Sequence, residues 1–347
     1  MRKKAEYSKK QIEKAGRKIV DKSITTEEYL ECKHIIDNWR SAHAFPMNTF
    51  AINLKRQVED IEGAIVVQRL KRFSTIEDKL KRFPKMSLYR MQDLGGCRVI
   101  VPSVEDVYRV KKKFQGSYIR HKLVNEKDYI ATPNPNTGYR GVHLIYKYYS
   151  DRRDDYNGLL VEIQIRSKMQ HLWATAVETV GMFTQNGLKF NQGSQEWLRF
   201  FKLVSALFSI EEQSAVVDGV PTNPQIISKE IINIMNKLQV IPKLFAIGLA
   251  ASHFGRIQKS KTPGYYLMEL NTKEYTLNVT KFSNSDKATD EYNKIESRKD
   301  RHIDVVLVSA QSFEALTHAY PNYFADIKEF MEILFDIMEK YAPKYQS

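Results

Sequence analysis

Residues 161–166 read Val-Glu-Ile-Gln-Ile-Arg, a strict alternation of apolar and polar side chains. A β-strand sends successive side chains to opposite faces. Val161, Ile163 and Ile165 therefore line one face, while Glu162, Gln164 and Arg166 line the other. Such a strand is half-buried, and its second face carries a carboxylate, an amide and a guanidinium in a row. Ser167 then stands where an N-cap would, and Met169, Leu172, Trp173 and Val177 have helical spacing. A polar row on an apolar strand that runs into a helix points to a functional face. The plainer alternative is an edge strand with a solvated salt-bridge face.

A chain of 347 residues suggests two domains, with a core large enough to need no covalent staples. Cys32 and Cys97 lie far apart and in no metal spacing. That argues against a disulfide scaffold and against zinc, and fits a reducing cytoplasm. The N-terminus is basic but lacks an apolar core, so it is not read as a signal peptide. The longest apolar run, Leu244–Ala251, is too short to span a membrane. The net charge of +13 is uneven: residues 1–200 hold 37 Lys and Arg against 23 Asp and Glu, a balance of +14, which leaves −1 for the rest. The front of the chain suits a polyanion such as nucleic acid or a polyphosphate.

Residues 1–72 read as helices, with Thr25-x-x-Glu28 as a capping box and a second helix over about 49–70. Ser74-x-x-Glu77 is expected to cap a short third helix that ends near Pro84, and Ser103-x-x-Asp106 to cap another that runs to about Phe114. Strands are expected after Asp93-Leu-Gly-Gly, at 118–124, at 141–149 and at 158–166, with a Pro/Asn/Gly-rich loop over 132–138. The polar segment 185–194 suggests a boundary. Helices over 195–217 and 223–239 lead to a small α/β unit: a hairpin at 265–282, a helix at 285–298, a strand at 303–308, and helices at 312–318 and 326–341. This mixture of helices and strands reads as α+β, with helices and a small α/β domain following the first group of strands.

Two carboxylates stand out. Asp93 precedes a strand in a Gly-rich turn, and Glu162 sits on another strand. Two carboxylates that meet at one sheet edge can hold Mg²⁺ and leave positions for phosphate oxygens and water. Around them lie Arg69, Lys71, Arg72, Lys79, Lys81, Arg82, Arg98, Lys127 and Arg166. Phosphoryl chemistry needs that excess of cations, because charge on the transferring group must be met by metal and Lys/Arg clamps. In Tyr139-Arg-Gly-Val-His143, the residues Tyr139, Gly141 and His143 share a face. Gly141 leaves a gap where a flat base could stack on the tyrosine. A P-loop, a kinase catalytic loop, a Gly-x-Ser-x-Gly elbow and a His-Glu-x-x-His zinc motif are all missing.

Taken in order, Arg69-x-Lys71, Lys79-Leu, Asp93-x-Gly-Gly-x-Arg98, Lys127-Asp-Tyr, Gly138-Tyr-Arg-Gly-Val-His143 and Val161-Glu-Ile-Gln-Ile-Arg166 with Trp173-Ala form a set. That ordered set resembles the RelA/SpoT alarmone synthetase domain over roughly 45–185. The resemblance implies a mixed β-sheet wrapped by helices, and transfer of pyrophosphate from ATP to a ribose 3′-hydroxyl with release of AMP. It also implies ATP-binding roles for Arg69, Lys71, Lys79 and Arg98. Asp93 and Glu162 become the catalytic, Mg²⁺-holding pair, with Glu162 alternatively the acceptor of the hydroxyl proton. Lys127, Tyr139, His143, Gln164 and Arg166 become the acceptor side. Two departures stand out. Gly141 replaces a frequent serine, and the usual Trp-Ala-x-x-Glu-His helix reads Trp173-Ala-Thr-Ala-Val-Glu-Thr179.

The back of the chain is similar to the regulatory domain of fused toxin–antitoxin members, the CapRel type, through Val305-Val-Leu-Val-Ser and Tyr320-Pro-Asn-Tyr323-Phe. That resemblance implies an autoinhibitory plug at Tyr320 and Tyr323, a phage capsid protein as the activator, and the 3′-CCA end of tRNA as the acceptor. The division expected is 1–190 for the pyrophosphotransferase, 191–240 for a helical connector and 241–347 for a regulatory domain. Two other functions stand beside this one: a synthetase that makes (p)ppGpp or (p)ppApp from a free nucleotide, and an inactive nucleotide or RNA binder. The presence of both Asp93 and Glu162 weighs against the last.

Overall fold

A computed structural model describes residues 4–117, 120–183, 195–241, 254–257, 261–271, 274, 276–298, 303–319 and 327–341. Its strands are β1 (Ile65–Leu70), β2 (Gly95–Val101), β3 (Lys122–Asp128), β4 (Val142–Lys147), β5 (Leu160–Ser167), β6 (Phe254–Ile257), β7 (Gly264–Asn271), β8 (Thr276–Phe282) and β9 (Ile303–Ala310). Among the described residues they form one nine-stranded sheet in the order β3-β4-β5-β2-β1-β9-β7-β8-β6. The β2–β5 and β6–β8 pairs are parallel and the others antiparallel, so the sheet is mixed, in line with the α+β expectation.

The helices are α1 (Lys9–Lys18), α2 (Thr26–Ala42), α3 (Ala44–Gln57), α4 (Phe73–Arg82), α5 (Val104–Gly116), α6 (Lys168–Phe183), α7 (Gln195–Glu211), α8 (Pro224–Leu238), α9 (Ser285–Ser297), α10 (Phe313–Ala319) and α11 (Lys328–Lys340). Their starts follow local capping chemistry. Thr25 and Glu28 cap α2 reciprocally, and Ser103 accepts from the Asp106 N–H at the start of α5. At the start of α6, Ser167 Oγ accepts from the Gln170 N–H at 3.2 Å and Gln170 Oε1 accepts from the Ser167 N–H at 3.1 Å. The serine expected to act as N-cap thus does so.

Three expectations are corrected. The helix expected over 49–70 is α3 followed by strand β1, because Ala64-Ile-Val-Val is a short β-branched run whose length and turn flank, not its periodicity, mark a strand. Helix α4 begins at Phe73, and its N-cap is Arg72 with no side-chain cap, so Ser74 lies inside the first turn. The strand expected at 118–124 is β3, shifted to 122–128. It is the sheet's outer edge, mostly exposed, and its polar composition hides it. The short strand β6 carried no visible signal. The boundary at 185–194 and the apolar run 244–251 lie outside the described residues.

Each sheet face has its own character. On one face, Val66, Cys97, Val99, Leu144, Tyr146, Val161, Ile163 and Ile165 pack under α1, α2, α3 and α5, with Trp39, Phe50, Leu54, Val107 and Phe114. The other face is polar on β3, β4 and β5. It turns apolar across β1, β9, β7 and β8, where Val67, Ile100, Tyr266, Met268, Val306 and Val308 pack with Leu316 of α10. A third cluster joins α6, α7, α8 and α11 through Trp173, Phe200, Leu207, Ile231, Phe330 and Leu334.

Ile163 is fully buried at the middle of β5. Ile163→Ala removes buried methylenes and leaves a cavity, so it should cost about 2–5 kcal/mol. Urea denaturation checks this: a loss below about 1 kcal/mol would place Ile163 outside the core.

Candidate active site

The sheet register lays the polar residues out in rows. One row reads Arg69, Gly96, Glu162, Ile145 and Asn125 across β1, β2, β5, β4 and β3. The next reads Val67, Arg98, Gln164, His143 and Lys127. Gly96 faces Glu162, so no side chain crowds the carboxylate from β2.

Asp93 sits in the turn that feeds β2. The Lys71 N–H donates to the Leu94 carbonyl at 2.8 Å, which ties the end of β1 to that turn. Lys71 Nζ then reaches Asp93 Oδ2 at 2.9 Å. Helix α4 doubles back so that Lys79 Nζ reaches Asp93 Oδ1 and Oδ2 at 3.0 and 2.9 Å. Burial alone would push the Asp93 carboxyl up, but the two ammonium groups outweigh it and hold it at about 2. Burial also pushes Lys71 below its ordinary value, against the pull of Asp93. Arg69 is close enough to Lys71 to push it further in the same direction.

On the other side five side chains close a ring. Tyr139 Oη and His143 Nε2 are 2.6 Å apart, and His143 Nδ1 lies 2.9 Å from Glu162 Oε1. Gln164 Nε2 donates to Glu162 Oε2 at 2.8 Å, and Arg166 Nη2 donates to Gln164 Oε1 at 3.2 Å. Arg166 Nε donates back to Tyr139 Oη at 3.1 Å. Burial disfavours the His143 cation, but Tyr139 and Glu162 outweigh it and raise the imidazole to about 9. Burial pushes Glu162 up, and the hydrogen bond and charge of His143 more than reverse this, so Glu162 stays below its ordinary value. Tyr139 is likewise held low against its burial by Arg166 and His143. A cationic His143 donates through both nitrogens. Tyr139 Oη then accepts from His143 and from Arg166.

The gap expected at Gly141 is already filled. Its φ is +148°, and a Cβ there would lie 3.2 Å from Arg166 Cγ and from Tyr139 Oη. The Arg166 guanidinium also lies 5.1 Å from the centre of the Tyr139 ring. The loop before β4 is fixed from behind. Buried Arg140 donates to Glu212 at 2.5 Å and to Ser214 at 3.1 Å, and Ser205 of α7 donates to the Gly138 carbonyl at 2.5 Å.

Lys79, Gln92, Asp93, Asn125, Lys127, Tyr129, His143, Ile145 and Glu162 line one cleft of about 130 Å³. The structure thus brings Asp93, Lys79, Lys127, His143 and Glu162 together. Lys71, Tyr139, Gln164 and Arg166 stand directly behind them. Arg69 and Arg98 share the face on neighbouring register positions. Gln92, Asn125, Tyr129 and Ile145 were not singled out from the sequence. Tyr129 is the last residue of Lys127-Asp-Tyr, and its ring meets Tyr139 and His143 edge-on at 5.5 Å. Tyr320 and Tyr323 lie outside the described residues.

The cleft suits a magnesium ion by donor type. Asp93 and Glu162 are hard oxygen ligands close enough that Asp93 acts on Glu162 electrostatically. No group of three or more His, Cys, Asp or Glu placed to hold a metal occurs among the described residues. The protein would therefore supply two carboxylates, and phosphate oxygens and water the rest. No helix among the described residues is long and apolar enough to cross a membrane.

Residues 68–185 match the family described as the region found in RelA / SpoT proteins. The chain is 33% identical over 114 residues to GTP pyrophosphokinase YjbM of Bacillus subtilis strain 168, covering 32% of this chain and 52% of that protein. It is 33% identical over 112 residues to GTP pyrophosphokinase YwaC of the same strain, covering 31% and 52%. The matched stretch spans about half the length of these relatives. Among solved structures, small alarmone synthetase 1 of Bacillus subtilis bound to its product pppGpp is 25% identical, with a TM-score of 0.40, covering 48% of this chain and 90% of that one.

His143 carries a pH signature. Its folded value, about 9, lies above the ordinary 6.5, so the ring stabilises the fold fully below pH 6.5 and loses this as pH rises through 9. The stability gap between the parent and His143→Gln should be widest near pH 6 and narrow by pH 9.5, measured by urea denaturation at both. A gap constant with pH would show that His143 is not cationic in the ring.

Proposed function

We propose that this protein is an ATP-dependent pyrophosphokinase that moves pyrophosphate from ATP to a ribose 3′-hydroxyl. The observation that carries the reading is one cleft in which the Lys79–Asp93 pair faces the His143–Glu162 pair, within a RelA/SpoT region. Arg69, Lys71, Lys79 and Arg98 take the donor's phosphates. With the lysines turned to phosphate oxygens, Asp93 would be free to hold Mg²⁺ together with Glu162. The metal, when bound, neutralises charge on the phosphate oxygens. Glu162 uses one lone pair on each oxygen for His143 and Gln164, which leaves acceptor capacity for the 3′-hydroxyl. The 3′-oxygen attacks the β-phosphorus as its proton passes to Glu162, the bond from the β-phosphorus to the bridging oxygen breaks, and AMP leaves with that oxygen. Lys127 and His143 meet the acceptor's phosphates, and Tyr129, backed edge-on by Tyr139, offers aromatic surface for its base.

The acceptor we propose is the 3′-CCA end of tRNA, which would block translation. The charge of the front half supports this, as do exposed Arg109, Lys112, Arg120, Lys122, Arg152 and Arg153. Lys122 and Lys147 stand directly opposite each other across β3 and β4 on the cleft face. Their Nζ atoms lie 5.2 and 5.9 Å from the Tyr149 ring centre, and neither has a carboxylate partner among the described residues. Like charges placed so are unfavourable unless an anion joins them. Autoinhibition by Tyr320 and Tyr323, relieved by a phage capsid protein, is the regulatory part of the proposal. Its support is helix α10, which packs on the cleft face beside β1 and immediately precedes Tyr320. The second reading, a free guanosine nucleotide as acceptor, draws on the names of the GTP pyrophosphokinases that the chain matches.

The test supplies ATP labelled at the γ-phosphate to the full chain and to Tyr323→Ala, with GDP, GTP or bulk tRNA. Label should appear on tRNA and rise in the variant. Label confined to guanosine nucleotides would establish the second reading, and an unchanged variant would remove the plug. Glu162→Gln should lower transfer about 10²–10⁴-fold; full activity in that variant would overturn the catalytic assignment. Lys122→Glu with Lys147→Glu should weaken labelling of tRNA while labelling of free nucleotide stays constant. Equal loss on both acceptors would mean that the pair serves the cleft itself.

A further inference from the structure

Arg40 of α2 is buried to 2% exposure beneath the donor segment. A buried guanidinium must be paired, and most of its partners come from α9, some 250 residues away in the chain. Nη1 reaches Tyr292 Oη at 3.1 Å and Glu296 Oε2 at 3.4 Å, and Nη2 reaches Asn293 Oδ1 at 3.0 Å. Asp37 Oδ1 lies 2.8 Å from Nη2, and Nη1 also donates to the Lys71 carbonyl at 3.4 Å.

Glu296 then does something beyond this pairing. Its Oε1 accepts the Phe73 N–H at 2.8 Å. That N–H is one of the four a helix leaves without an internal partner, and α4 has no side-chain cap of its own. A carboxylate at a helix N-terminus also meets the positive end of its dipole. So the first turn of α4 is capped from the far end of the chain. Two further contacts grip the same segment. β9 pairs with β1 at Gln68–Ser309 and Arg69–Val308, and Leu316 and Phe313 of α10 pack on Val67 and Ile65.

We propose that the C-terminal unit builds the donor site, with Glu296 as a positioning residue that caps α4 and so holds Lys79 over Asp93. The proposal rests on the reading of Lys71 and Lys79 as the cations that receive ATP. It changes what the C-terminal unit means: a segment that only silenced the enzyme would not supply a strand neighbour and a helix cap to the donor lysines. Any control by this unit then acts on the order of α4 as well as on access to the cleft.

Two variants of the full chain separate the cap from the ion pair. Glu296→Asp keeps the charge beside Arg40 but is one methylene too short to reach the Phe73 N–H. Glu296→Gln keeps a carbonyl acceptor for that N–H and loses the charge. Loss of a cap costs about 1 kcal/mol, roughly a fivefold change in an equilibrium. E296D should therefore exchange the amide hydrogens of residues 73–76 about fivefold faster, and raise KM for ATP by a similar factor with KM for the acceptor unchanged. E296Q should match the parent in both, although it is less stable to urea. Binding of a non-hydrolysable ATP analogue, by calorimetry, follows the same order. Unchanged exchange and ATP affinity in E296D, or a larger loss in E296Q than in E296D, would overturn the proposal. A parent protein that binds no ATP analogue would instead overturn the donor reading, and the exchange rates would still decide whether Glu296 orders α4.

Discussion

Strand β1 is hydrogen-bonded on both sides, to β2 from the front of the chain and to β9 from the back. The rest of the architecture depends on that double pairing. It removes the edge that β1 would otherwise expose and makes one sheet of two chemically different halves. Arg69 is thereby set between Gly96 on one side and Val308 on the other, at the line where the polar face becomes an apolar one. The division of the chain at 190 and 240 remains a proposal about function. The hydrogen-bond ladder runs through it.

Within the cleft, desolvation and pairing oppose each other. A carboxylate taken out of water is costly unless cations or donors surround it. Asp93 has two ammonium groups, and Glu162 has an imidazole and an amide. Each arrangement keeps the carboxylate ionised in a place where burial alone would neutralise it. The groups that do this are those a polyphosphate would engage, and one bound there would trade one set of partners for another. Arg140 shows the same rule away from the cleft, where Glu212 meets a fully buried guanidinium and anchors the loop that carries Tyr139.

Much of the site was legible because its residues obey local periods. The alternation of 161–166 placed Glu162, Gln164 and Arg166 on one face, and the register confirms that the three stand in line opposite Gly96, Arg98 and Ile100. The caps at Thr25, Ser103 and Ser167 were readable because a cap is a contact over three residues. β1 was misread because its apolar run, Ile65-Val-Val67, is too short to declare a period. β3 was misplaced because an exposed edge strand has no apolar face to show. Gly141 was read as a gap, since a sequence does not reveal which side chain from another strand will enter it.

The order of residues by itself determined which side chains share a face, where helices start, and that two carboxylates lie among many cations. Those properties follow from backbone geometry over a few residues. Only the tertiary structure decided that Tyr139, His143, Glu162, Gln164 and Arg166 close into a ring, that Lys71 and Lys79 meet on one carboxylate, and that Glu296 caps a helix more than two hundred residues away. Each of these depends on strand order and on how buried charges find partners at long range. No local pattern encodes it, because the free energy that selects such contacts exists only once water has been excluded around them.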